Sequence, residues 1–124
     1  YKGIEIDLTF YASDGNYAIL ESKSISGIKG VKPELYFAGG RFYNEDKLPA
    51  LFMLVVYKYE HEQLTSRKQQ LLDLKSQVHA LGVPNFQFFY FNLPLSKDKA
   101  RVNYQTFIDS ESIVLVNGLE ELGI

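Results

Sequence analysis

The chain has no cysteine and no tryptophan, one methionine and four prolines in 124 residues. Without cysteine neither a disulfide framework nor a thiolate metal site can form, and nothing points to an oxidising compartment. An intracellular, cytoplasmic location is therefore expected. The longest apolar run, around residues 49–57, falls well short of the roughly 20 residues a bilayer span needs, so no membrane contact is expected. No cleavable leader pattern is visible at the start. A basic surplus is missing too, because formal net charge is −2. Non-specific nucleic-acid binding draws most of its affinity from neutralised phosphate. The composition weighs against an unaided binder of that kind, although a bound metal or a neighbouring domain can supply positive charge. Two histidines, His61 and His79, make no zinc pattern. Gly39-Gly40 lacks the Lys-Ser/Thr that follows a phosphate-binding glycine loop, and no Ser-His-Asp order with a nucleophile elbow occurs.

What is present suits one globular domain: 46% hydrophobic and 23% charged residues, with nine Tyr and nine Phe. The chain does not begin with Met and opens almost directly in a strand, which reads as a fragment of a larger protein with elements upstream. Residues 3–10 alternate, with Ile4, Ile6, Leu8 and Phe10 on one face and Glu5, Asp7 and Thr9 on the other. Ser13-Asp14-Gly15-Asn16 is a turn by composition, and residues 17–23 return as a second strand with Tyr17, Ile19, Glu21 and Lys23 sharing a face. Pro33 opens a helix to about Asn44, where Gly39-Gly40 either weakens the helix or marks close approach of a strand. The run from Leu48 to Tyr59 predicts a central strand covered on both faces. Residues 60–81 predict a helix ended by Gly82, and 85–93 another buried strand parallel to the first. Residues 94–106 are a polar excursion, Ser112 to Asn117 a short last strand, and 118–122 a scrap of helix.

Asp7, Glu21 and Lys23 stand out because they put charge into an otherwise apolar hairpin. Opposed residues of an antiparallel pair have numbers with a fixed sum. A turn centred on Asp14 makes that sum 28 and sets Asp7 directly across from Glu21, whereas a two-residue turn at Asp14-Gly15 turns them to opposite faces. A three- or five-residue loop gives the even sum. Two carboxylates so placed repel. One can stay protonated, a cation can bind between them, or the face can be open to water, with Lys23 and Glu21 as an ordinary surface pair. Two acids suit Mg²⁺ or Mn²⁺, with the Ser22 carbonyl as a further oxygen. A lysine beside such an ion can orient or deprotonate water, or offset charge on a phosphate.

Asp7, followed fourteen residues later by Glu21-Ser22-Lys23 with an apolar strand before each acid, resembles the PD-(D/E)XK nuclease superfamily. Ile6 stands where the family's name has proline, and the helix and strand that normally precede the aspartate lie outside this chain, with an acid that often completes the site. The order of helix then strand after the motif extends the likeness to about residue 59. The resemblance implies an α/β, restriction-endonuclease-like mixed sheet with an antiparallel hairpin, flanked by helices. It implies a Mg²⁺-dependent (or Mn²⁺-dependent) endonuclease acting on DNA, or less readily RNA, with Asp7 and Glu21 as metal ligands and Lys23 as the catalytic lysine. Lys29, Lys32 and Arg41 form a candidate basic rim for the nucleic acid. A homodimer or other domains of the parent protein would supply more of the binding surface. The alternative is a non-catalytic interaction or assembly module on the same scaffold, favoured by the acidic balance and the abundant Tyr and Phe.

Overall fold

The computed structural model describes residues 5–93 and 114–124. A hairpin comes first: β1 (Leu8–Tyr11) and β2 (Tyr17–Ser24). The Ala12 amide donates to Asn16 O at 2.8 Å, closing a loop of Ser13, Asp14 and Gly15. Gly15 adopts φ +88°, a conformation costly to any residue with a Cβ, and Asp14 Oδ1 accepts from the Asn16 amide at 3.0 Å. An odd loop gives an even sum: Leu8 pairs with Leu20, Thr9 with Ile19 and Tyr11 with Tyr17. The turn chemistry thus selects the register that sets Asp7 across from Glu21.

Beyond β2 the chain makes a 3₁₀ turn, Ile25–Gly30, that the sequence reading did not assign. It buries Ile25 and Ile28 and delivers the chain to α1 (Pro33–Tyr43), with Pro33 in the first turn, where its missing amide costs nothing. β3 (Leu51–Tyr59) lies parallel to both β2 and β4 (Asn85–Leu93). Between β3 and β4 runs α2 (Lys68–Ala80), preceded by a short 3₁₀ turn, Thr65–Arg67. The helix therefore starts later than the 60–81 expectation. β5 (Val116–Asn117) pairs antiparallel with β4, and α3 (Gly118–Leu122) follows, its start capped by the Asn117 side chain accepting from the Glu120 amide. The result is an α/β domain: a mixed five-stranded sheet in the order β1-β2-β3-β4-β5, flanked by helices. The polar excursion 94–106, and residues 112–113 of the last strand, lie outside the described residues.

The helices share one face of the sheet. Phe52 lies at the centre of the core there, stacked on Tyr36 (centroids 6.1 Å apart) and met edge-on by Phe37 (5.5 Å). Leu54, Val56, Phe88, Leu71 and Val78 complete it. The expectation that β3 and β4 are buried on both faces is corrected. Burial alternates along β3, with Phe52, Leu54, Val56 and Lys58 buried and Leu51, Met53, Val55, Tyr57 and Tyr59 half-buried. A continuous apolar run hides a two-residue period from sequence, because both faces read as hydrophobic.

β1 departs from the usual pattern. Its apolar residues Leu8 and Phe10 pair with Leu20 and Ala18 and face away from the helices, 47% and 50% exposed. Its polar face, carrying Asp7 and Thr9, turns toward the helix side instead. Glu21 shares that side and pairs with Leu54, and it is 1% exposed. A carboxyl in the core face and leucine on the open face is a local violation of binary patterning, the kind of departure expected at a working site.

Candidate active site

The two acids hold each other's strand. The Asp7 amide donates to Glu21 Oε1 at 3.1 Å, and the Ser22 amide donates to Asp7 Oδ2 at 2.8 Å. Each carboxylate thus has one oxygen fixed by the opposite backbone, which sets both rotamers. Ser22 presents its amide to the β1 side. Because the N–H and C=O of one strand residue point to the same edge, the Ser22 carbonyl faces that side as well.

Above the pair, the start of α1 does not close down on the sheet. Glu5, Asp7, Glu21, Lys23, Gly30, Lys32, Leu35 and Tyr36 line an open cavity of about 310 Å³. Four of the residues singled out from sequence meet here: Asp7, Glu21, Lys23 and Lys32. Lys29 lies exposed in the 3₁₀ turn and does not line the cavity. Arg41 sits in the last turn of α1, where its guanidinium pairs with Asp46 at 2.9 Å. Glu5 and Tyr36 were missed. For Glu5 the signal was available, since extending the sum of 28 by one pair sets it across from Lys23. For Tyr36 only its place one turn after Pro33 pointed inward.

Burial pushes the Glu21 carboxyl up to about 7 from its ordinary 4.5. The neighbouring Asp7 carboxylate adds to the rise, while the Asp7 amide and the Lys23 amine oppose it. Tyr36 is also raised, mainly by burial and then by the charge on Glu21, and the nearby Lys23 amine works the other way. At neutral pH a buried acid poised to lose or keep its proton therefore lies beside a second acid and an amine.

The donor set suits a hard divalent cation: oxygen ligands from two carboxylates, and room for water. Among the described residues no three His, Cys, Asp or Glu side chains converge into a metal cluster. An ion held here would have two protein carboxylates and would need water in its other positions, the manner in which Mg²⁺ is usually held. Binding would also relieve the repulsion that raises Glu21.

No protein-family model, curated protein or solved structure matches the chain. Among the described residues no helix is long and apolar enough to cross a membrane.

Proposed function

We propose that this domain is a metal-dependent nuclease of the restriction-endonuclease-like type, hydrolysing phosphodiester bonds in DNA in preference to RNA. The observation that carries the reading is the reversed face of the hairpin, which sets Asp7 and Glu21 together on the covered side of the sheet, beside Lys23, in an open cavity. Burying a carboxyl next to another acid costs stability, and a function that needs both acids explains why the fold keeps them.

Asp7 and Glu21 would hold Mg²⁺ or Mn²⁺, with the Ser22 carbonyl turned to the same side. When bound, such an ion polarises a phosphate oxygen and makes a nearby water more acidic. Lys23 then orients the attacking water and offsets charge building on the phosphate. Lys32 at the cavity wall draws the phosphate backbone in, while Lys29 and Arg41 lie farther out and serve only a substrate that extends along the surface. A homodimer or further domains of the parent protein would add positive surface that a chain of net charge −2 lacks.

Cleavage of plasmid and single-stranded substrates with Mg²⁺ or Mn²⁺ tests this. Asp7→Ala and Lys23→Ala each lower the rate by about 10²-fold or more, and Mn²⁺ raises the melting temperature of the wild type but not of Glu21→Ala. Activity that survives both alanine variants belongs to a contaminant. One observation favours the second reading, an assembly module: the edge strand β1 exposes Leu8, Phe10 and Tyr11, the last at 65%. Absence of both cleavage and a Mn²⁺ shift in the full-length parent would decide for it.

A further inference from the structure

We infer that β1 pairs with β1 of a second copy of this chain, antiparallel and with Phe10 across from its own counterpart, joining two sheets into one. The inference holds under either reading of the acid site. Among the described residues β1 is an edge strand, and two hydrogen bonds fix which of its backbone groups look outward. The Ala12 amide donates to Asn16 O across the hairpin at 2.8 Å, and Tyr17 O accepts from the Ala50 amide, toward β3, at 2.8 Å. Ala12 thus points its backbone at β2, while Tyr17 points its own away from β1. Alternation along the ladder then turns the N–H and C=O of Leu8 and Phe10 inward and those of Thr9 and Tyr11 outward. Edge strands are usually guarded by a charge, a proline or a bulge. Residues 8–13, LTFYAS, carry neither charge nor proline.

A second copy fits this edge better than a charged partner does. In a two-fold pairing every residue meets its symmetric counterpart, so a charge on the strand would face a like charge; β1 has none. The register follows from the acid site. Setting Thr9 opposite Tyr11 of the second copy joins all four outward groups of each strand in four hydrogen bonds. Sliding the strands toward Asp7 would need the Asp7 amide, which already donates to Glu21 Oε1 at 3.1 Å. Sliding them the other way sets Thr9 against the turn. In the favoured register the side chains are self-complementary. Phe10 opposes Phe10 of the second copy, and Leu8 of each chain meets Ala12 of the other. Ala12 lies at the rim of an apolar cavity of about 270 Å³, where Ala18 and Ala50 leave space beside Phe10 and Leu51. Six of the eight most exposed large hydrophobic residues among those described lie on β1 or α1: Leu8, Phe10, Tyr11, Leu35, Phe42 and Tyr43. At about half exposure each offers roughly 100 Å². Together they approach the roughly 800 Å² per partner of a standard interface, before the strand backbone is added. The two-fold axis runs perpendicular to the sheet, so both helix layers stay on one face. The two acid pairs then open to the same side, roughly 20 Å apart along the joined strands.

Light scattering on the 124-residue chain at micromolar concentration should give a mass of twice 14.2 kDa. Thr9→Pro removes an outward amide and spares the ladder to β2. Phe10→Lys sets two ammonium groups across the axis. Each should yield a monomer with unchanged circular dichroism, and Phe10→Lys still decides if Thr9→Pro disturbs the hairpin. The chain has no cysteine, so single-cysteine variants read the register directly. Phe10→Cys should form an interchain disulfide on mild oxidation, because Cα atoms of such an opposed pair lie about 4.5 Å apart. Leu8→Cys, roughly 14 Å from its counterpart, should stay reduced. A wild type that remains monomeric overturns the inference, whether another strand of the parent covers the edge or none does. So does a dimer that survives both Thr9→Pro and Phe10→Lys, since its contact lies elsewhere. Faster cross-linking of Leu8→Cys than of Phe10→Cys overturns the pairing as drawn. None of these readouts uses cleavage, so each stands apart from the fate of the nuclease reading.

Discussion

The same face of β2 is treated in opposite ways at its two ends. Toward the hairpin, Tyr17 and Ile19 are sealed beneath the C-terminal half of α1. Toward the other end, Glu21 and Lys23 lie beneath its first turn, and the helix stands clear enough to leave a cavity of about 310 Å³. The difference comes from the helix. Gly40 lets the backbones approach: a Cβ there would sit 2.6 Å from Tyr17 Oη and 3.2 Å from Ile19 Cδ1. Near the start of α1, Lys32, Leu35 and Tyr36 border the opening instead. One helix therefore closes the core with glycine at one end and borders a site with larger residues at the other. The ambiguity of Gly39-Gly40 in the sequence resolves here: the pair stays helical, and Gly40 makes the close approach.

Three substitutions test this account. The largest effect is expected of Gly40→Ala. Overpacking costs about 1–3 kcal/mol, and moving Tyr17 strains its hydroxyl's 2.5 Å bond to Lys47 O, a further loss of about 1 kcal/mol. The gain in helix propensity returns about 1 kcal/mol. The net is about 2 kcal/mol of destabilisation, read as a fall in melting temperature of several degrees; a neutral or stabilised variant would show that the glycine does not serve close approach. Glu21→Gln at the open end should act in the opposite direction. The folded state holds the Glu21 proton up to about pH 7, against 4.5 ordinarily. Stability without metal therefore falls as pH rises between those values and stays low above them. The glutamine variant should flatten that slope and gain about 1–2 kcal/mol at pH 8, allowing for solvent in the cavity, while losing any protection by Mn²⁺. Thermal melts from pH 5 to 8 read both effects. The smallest effect is expected of Arg41→Ala. Its pair with Asp46 is exposed, and such pairs contribute less than about 1 kcal/mol, so a melting temperature nearly that of the wild type is expected at the glycine end of α1.

Much of the fold was legible because local chemistry and long-range packing agree. The Pro33 start of α1 and the parallel pair about α2 follow from residues that favour one geometry. The acid pair was legible only as one of two registers, because the turn residues suit either an odd loop or a two-residue turn, and the structure has the odd loop with Gly15 at positive φ. What was hidden depends on neighbours distant in sequence. The 3₁₀ turn 25–30 has little periodicity, and only Ile25 and Ile28 anchor it. One-sided burial of β3 cannot be read from a run apolar on both faces. Lys29, Lys32 and Arg41 look alike in sequence, yet only Lys32 reaches the cavity, because where each lysine or arginine points depends on how the 3₁₀ turn and α1 cross the sheet. Tyr36 was invisible as a wall of the cavity for that reason too.

The short loop of Ser13, Asp14 and Gly15 does not line the cavity, yet its length fixes the register of the hairpin. Exchanging its residues for others that tolerate the same backbone leaves Asp7 where it is. Inserting or deleting a single residue slips the pairing and turns the aspartate to the opposite surface of the sheet. Descendants of this chain can thus vary the loop's spelling freely, but a frame-preserving indel of one codon there would erase the acid pair in a single step.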